Sequence, residues 1–355
     1  MKNRFIRTLV FLFLLATLLS GIAQAQGVNC NGLTVGDCHL LSVSSKVMDN
    51  LKSAAFNVQL TLHTDDVPDG DIDITAIGTG TYSIEGKPNF DAAALRNLRT
   101  PHDLATGLAA DLKGISASLN LTYSSQIGES VEAAVLQMRL VNSVGYLNLS
   151  GIRPLIGESH LSGWGGLQVE ALLEWMLNQN PTTFDNALSA PPATNNSSVL
   201  DNLISIKRIP SSDSSSAIFE TNLKVADLLN DPTFSSAMRQ QMQKGGANTS
   251  SIATAMFLLK NIVGDSVIVA RQNIDLRTHY VKSLTIDYDL QLTALVERAL
   301  FANPNVKQPV HLAFNYQLQY DQYNNAPAIT PPDDLIGTLD YSQLQQLLMG
   351  SSTPL

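Results

Sequence analysis

Cysteine, aromatic rings and charge are all scarce in this chain, and each shortage excludes something. Only Cys30 and Cys38 occur among 355 residues, so disulfides cannot be the scaffold of the fold. The pair lies close together in VNCNGLTVGDCHLL. It reads as one local disulfide pinning the loop 26–39, with a cysteine-ligated metal site as the competing reading. The six histidines, His39, His63, His102, His160, His279 and His311, show no H-x-x-x-H or H-E-x-x-H spacing, which leaves a zinc hydrolase without its ligand pattern. No G-x-S-x-G elbow is present either. The chain therefore reads as non-catalytic, with no cofactor and no metal implied.

Long apolar runs are also missing. The longest, Thr8 to Leu19, spans about a dozen residues, short of the roughly 18 that suggest a membrane span. It follows Lys2, Arg4 and Arg7 and precedes Ala23-Gln24-Ala25, the three parts of a secretory signal peptide cleaved after Ala25. No cysteine sits at the cleavage region, so the Leu-x-x-Cys signature of bacterial lipid attachment is absent there. The expected product is a soluble extracytoplasmic protein of the periplasm or cell envelope. Removing the three signal cations from 22 basic residues leaves 19 against 31 acidic ones, a net charge of −12. That balance is unsuited to nucleic acid.

What the chain has in quantity is two-residue alternation. In DSVIVARQNIDLRTHYVKSLTIDYDLQL, from Asp265 to Leu292, the second arm puts Tyr280, Leu284, Ile286, Tyr288, Leu290 and Leu292 on one face. Ser283, Thr285, Asp287, Asp289 and Gln291 fall on the other. Phe56, Val58, Leu60 and Leu62 repeat the pattern, as do Val310, Leu312, Phe314, Tyr316, Leu318 and Tyr320. Further strands are expected over 71–84, 115–124, 131–140, 144–149, 202–209 and 217–225. One large antiparallel sheet follows, with an apolar face that must lie on something. Gly78 and Gly80 on that face of the second strand leave a groove or mark a bulge.

Helical spacing appears over 40–50, 91–112 with a break at Pro101, 167–178, 225–243 and 251–263, with a short closing helix over 341–349. Asp231-Pro232 is either a break or a fresh helix start. The segment 178–198, rich in Pro, Asn, Ser and Thr, reads as a loop. Asp65, Asp66, Asp69, Asp71 and Asp73 offer carboxylates to calcium but lack the EF-hand order, and the competing reading is a solvated hairpin turn. Trp164-Gly165-Gly166 reads as a packing anchor or as a gate to a pocket.

The short helix running into FNVQLTLH, the strand ISIKRI, the strand-into-helix segment FETNLKVADLLNDPTFSSAM, and the final hairpin and strand together resemble the LppX/LprG family of mycobacterial envelope lipoproteins. More distantly the chain resembles the LolA and LolB lipoprotein carriers. The resemblance covers most of residues 26–355 as a single domain. It implies an α+β fold in which a curved antiparallel half-barrel wraps over helices, with an apolar cavity that holds a lipid or other long-chain amphiphile. Phe56, Val58, Leu60, Tyr82, Leu121, Leu172, Trp175, Met256, Ile274, Ile286 and Tyr288 are the expected lining. A membrane transporter or another envelope protein would be the partner in transport. The alternative is a ligand-free interaction module of the cell envelope on the same scaffold.

Overall fold

The computed structural model describes residues 30–65, 71–86, 100–151, 162–179, 204–244, 248–263, 266–291 and 311–338. The signal segment, most of the loop 178–198, the helix expected before Pro101 and the closing helix 341–349 lie outside them.

Alternation produces the sheet. Its strands are β1 (Ser53–Asp65), β2 (Ile72–Ile84), β3 (Ile115–Ile127), β4 (Ser130–Val141), β5 (Val144–Asn148), β6 (Trp164–Gln168), β7 (Ile204–Ile209), β8 (Ser216–Lys224), β9 (Val267–Asp275), β10 (Val281–Gln291), β11 (His311–Asp321) and β12 (Leu335–Thr338). They form one twelve-stranded sheet in the order β12-β6-β5-β4-β3-β2-β1-β11-β10-β9-β8-β7. Two meanders, β1 to β6 and β7 to β11, are thus joined by pairing of the first strand with the eleventh. The sheet is curved and unclosed, and it is antiparallel except where β12 runs parallel to β6.

Helices sit between and beside these strands. α1 (Val35–Asp49) starts earlier than its apolar spacing predicts, because Thr34 caps it by accepting from the Asp37 N–H. α2 (Pro101–Leu112) begins at the proline that interrupts the longer predicted helix, with Thr100 as its cap. α3 (Val169–Gln179) packs on α2, tied to it by Thr106 to Glu170 at 2.6 Å and His102 to Glu174 at 3.0 Å. Asp231-Pro232 separates α4 (Val225–Asn230) from α5 (Pro232–Lys244), and the Asp231 carboxylate accepts from the Phe234 N–H. α6 (Thr249–Val263) then leads towards β9.

Some local detail departs from the sequence expectation. Trp164-Gly165-Gly166 opens strand β6, paired on both sides and running directly into α3, and Trp164 is buried as a packing anchor. The short segment β12 carries no sequence signal strong enough to mark it. In β10 a bulge between Val281 and Ser283 shifts the pairing with β9, so Val281 joins the interior although strict alternation from Leu284 excludes it.

Two apolar clusters follow. One gathers Leu41, Met48 and Leu51 with Ala54, Phe219, Ile274 and Val281, so α1 covers the sheet at one end of β8–β10. Cys30 and Cys38 are disulfide-bonded at the start of that helix. The other cluster belongs to the candidate site.

Candidate functional site

The second cluster is built entirely from strands. Its buried members are Leu60, Ile74, Ala76, Leu121, Tyr123, Leu284, Ile286, Tyr316 and Leu318. Register explains the continuity: Leu121 faces Gly78, Gly78 faces Val58, Val58 faces Leu318, and Leu318 faces Leu284, each directly across a strand pair. The next row runs Tyr123, Ala76, Leu60, Tyr316, Ile286 and Ala270. The second row thus stays apolar from β3 to β9, while the first is apolar as far as β10, where Leu284 faces Gln272 on β9.

Gly78 and Gly80 neither leave a groove nor mark a bulge. β2 pairs in unbroken register with β1 and β3. A side chain on Gly80 would overlap the Phe56 ring and the Ser118 carbonyl, and one on Gly78 would come within 2.9 Å of the Leu121 side chain. The missing side chains are filled by neighbours that lean across, which lets the rings of one strand sit on the backbone of the next.

Glu132, on the same face of β4 two residues from Ala134, lies near Tyr123 at the margin of the cluster. Burial pushes the Tyr123 and Tyr316 phenols up to about 12, so both stay neutral. The buried centre is bordered by Phe56, Val58, Leu62, Leu119, Leu136 and Phe314, which pack against it yet remain half-buried. What such a surface chiefly offers is apolar area.

Of the expected lining residues, Phe56, Val58, Leu60, Leu121 and Ile286 come together here. Tyr288 lies one pair further along, opposite Phe314 and Ile268. Ile274 is fully buried in the cluster under α1, and Tyr82 packs against that same cluster. Met256 is buried on α6, which meets β10, while Leu172 and Trp175 lie on α3 and are half-buried. Ile74, Ala76, Tyr123, Leu284, Tyr316 and Leu318 were missed. The alternation already marks them, but only the pairing order shows which strands stand next to one another.

The opposite face is polar and cross-linked. Lys207 meets Glu220 at 3.0 Å, Arg271 bridges Glu220 at 2.9 Å and Asp287 at 2.7 Å, and Asn315 donates to Asp287, a chain spanning β7 to β11. These partners, Lys207 first, hold the Glu220 carboxyl down at about 2. At one end of the sheet Asp73, His63, Asp65, His311 and Asp289 form a second chain. His63 Nδ1 meets Asp73 and its Nε2 meets Asp65 at 2.6 Å; His311 Nδ1 lies 3.5 Å from Asp65 and its Nε2 2.9 Å from Asp289. The carboxylates raise both imidazoles above their ordinary value, chiefly Asp73 for His63 and Asp289 for His311. Among the described residues no group of three or more His, Cys, Asp or Glu is arranged to hold a metal ion. Nor is any described helix long and apolar enough to cross a membrane.

No protein-family model and no curated relative matches the chain. Solved structures it is similar to include a lipovitellin structure concerned with lipid–protein interactions, at 11% identity and a TM-score of 0.30, over 80% of this chain and 26% of that one. The chain thus spans about a quarter of lipovitellin. Another is LprF from Mycobacterium bovis, at 9% identity and a TM-score of 0.27, over 83% of this chain and 96% of that one. A third is the S-type phycobiliprotein lyase CPES from Guillardia theta, at 8% identity and a TM-score of 0.19, over 79% and 92%.

Proposed function

We propose that this protein binds a lipid or another long-chain amphiphile on the apolar face of the sheet and holds it without chemical change, in an extracytoplasmic setting. The observation that carries the reading is the apolar strand-built cluster whose border residues, Phe56, Val58, Leu62, Leu119, Leu136 and Phe314, stay half-buried. An acyl chain laid along them loses its water contact and removes theirs. Each buried methylene contributes about 0.8 kcal/mol, so a chain of roughly a dozen carbons outweighs the cost of immobilising it. The head group remains outside, because the centre of the face is apolar. Handing the ligand to a membrane transporter or an envelope protein is the role such a carrier would serve.

Native mass spectrometry after gentle purification tests this directly. A co-purifying lipid mass that is lost in a Val58→Lys variant supports the carrier. Val58 is half-buried, so the lysine can reach solvent while placing charge where the chain would lie. Persistent absence of any lipid mass, together with no binding of added palmitate, leaves the ligand-free interaction module.

A further inference from the structure

A cleft of about 560 Å³ lies over β1 to β4, lined mainly by their polar side, with Phe56 and Leu119 from the border of the apolar cluster also contributing to its wall. Its floor is four adjacent strands, at 55–57 of β1, 79–81 of β2, 118–120 of β3 and 137–139 of β4. Its roof is the proline-rich strap that leaves β11, crosses this face and becomes β12. The strap is tied at one end by the Asn324 N–H to the Ser53 carbonyl and at the other by the Trp164 N–H to the Asp334 carbonyl. Between these ties Arg139 donates to the Thr330 carbonyl at 3.0 Å, with its guanidinium 5.0 Å from the centre of the Trp164 ring. Pro327 and Pro331 have no N–H to offer the floor, so the strap spans it without lying down as another layer of hydrogen-bonded chain.

The floor has a particular chemistry. Asn57, Thr79, Asn120 and Gln137 face one another in a single row across four strands. Asn57, Thr79 and Asn120 are exposed, and no described group bonds their side chains. In the next row Thr81 and Ser118 share a hydrogen bond at 2.7 Å, and Gln137 accepts from Asn148 at 2.7 Å while keeping its amide donors. Charge is limited to Arg139, already engaged, and Asp321 at the rim. An anion finds no uncommitted cation there, and a cation finds one exposed carboxylate. A peptide finds no free strand edge, because every floor strand is paired on both sides.

We propose that this cleft binds an uncharged polyhydroxylated ligand, a sugar in chemical class. Side-chain amides carry a donor and an acceptor side by side and hydroxyls serve as both, which suits adjacent hydroxyl groups. Pro327 and Ile329 in the roof give the carbon–hydrogen face of a sugar ring something apolar to rest on. The polar groups invoked, Asn57, Thr79, Asn120 and Gln137, are on the opposite side of the strands from the lipid-binding residues, so the proposal does not rest on that reading.

Saturation-transfer NMR on the full chain with maltose, cellobiose and sorbitol tests the proposal, with sulfate titration and triglycine as comparison probes. A saturable signal is expected with at least one of the three polyols, about tenfold weaker in Asn57→Ala/Asn120→Ala, since two hydrogen bonds are removed. Both positions are exposed, and an unchanged thermal midpoint confirms that the variant folds. No saturable signal from any of the three, a signal the double variant leaves intact, or binding of sulfate or triglycine in their place overturns it.

Discussion

Both ring nitrogens of His63 and of His311 face carboxylates, and only a doubly protonated imidazolium can donate from both. Deprotonation therefore leaves each ring with a nitrogen lone pair against a carboxylate, and it leaves Asp65, Asp73 and Asp289 with less positive charge between them. Because the folded state raises both imidazoles above 6.5, their stabilisation is complete below about pH 6.5 and is lost as pH rises through the folded values. The side chains are 42% and 31% exposed, so screening keeps the contacts small. Exposed pairs contribute roughly 0.2–1 kcal/mol each, and with Asp65 shared the whole chain contributes about 1–2 kcal/mol. In a protein of this size that is a fall of about 2–4 °C in thermal midpoint above pH 6.5. Calorimetry from pH 5.5 to 8.5 should show it in the native protein and lose it in His63→Gln/His311→Gln. His102, raised by Glu174, titrates in the same window and is unchanged in both proteins, so the difference between the two curves isolates the pair. Asp213, Glu220 and Asp275 are all lowered and titrate in acid, outside it. Parallel curves for the two proteins, or stability that climbs through this window because of the pair, would refute the reasoning.

Two further outcomes follow from the same geometry. Glu220, held at about 2, contributes stability that is present above pH 4.5 and lost as pH falls towards 2. Glu220→Gln should reduce stability at pH 7 by about 1–2 kcal/mol and flatten the acid limb of a urea-unfolding series, whereas an unchanged acid limb removes Glu220 from the account. Gly80→Ala should cost about 1–3 kcal/mol, because the added methyl meets the Phe56 ring and the Ser118 carbonyl inside a paired sheet; a Phe56→Leu background should recover part of that loss.

The ionic chain on the outer face and the apolar rows on the inner one have a common origin. Each antiparallel strand sends alternate residues to opposite sides, so β10 supplies Leu284 and Ile286 to the cluster and Thr285 and Asp287 to the polar ladder. The proposed lipid face and the proposed sugar cleft are therefore the two sides of one sheet. β1 to β4 contribute to both.

Local pattern alone determined the strands β1 to β5 and β7 to β11, the capped helices, the break at Pro232 and the cysteine pair, because each depends on neighbours within a few residues. Alternation also separates Phe56, Val58, Leu60 and Ile286 from the polar side of their strands. It does not state that β1 lies beside β11, far away in the chain, as in the pairing of Ala55 with Asp321, and that pairing makes two meanders into one continuous face. The bulge that turns Val281 inward, the filling of Gly78 and Gly80 by Leu121 and Phe56, and the joining of two histidines to three aspartates from four strands all depend on the same long-range register. The strap is the plainest case. Residues 322–334 have no period of their own, and only the sheet they cross gives them a path.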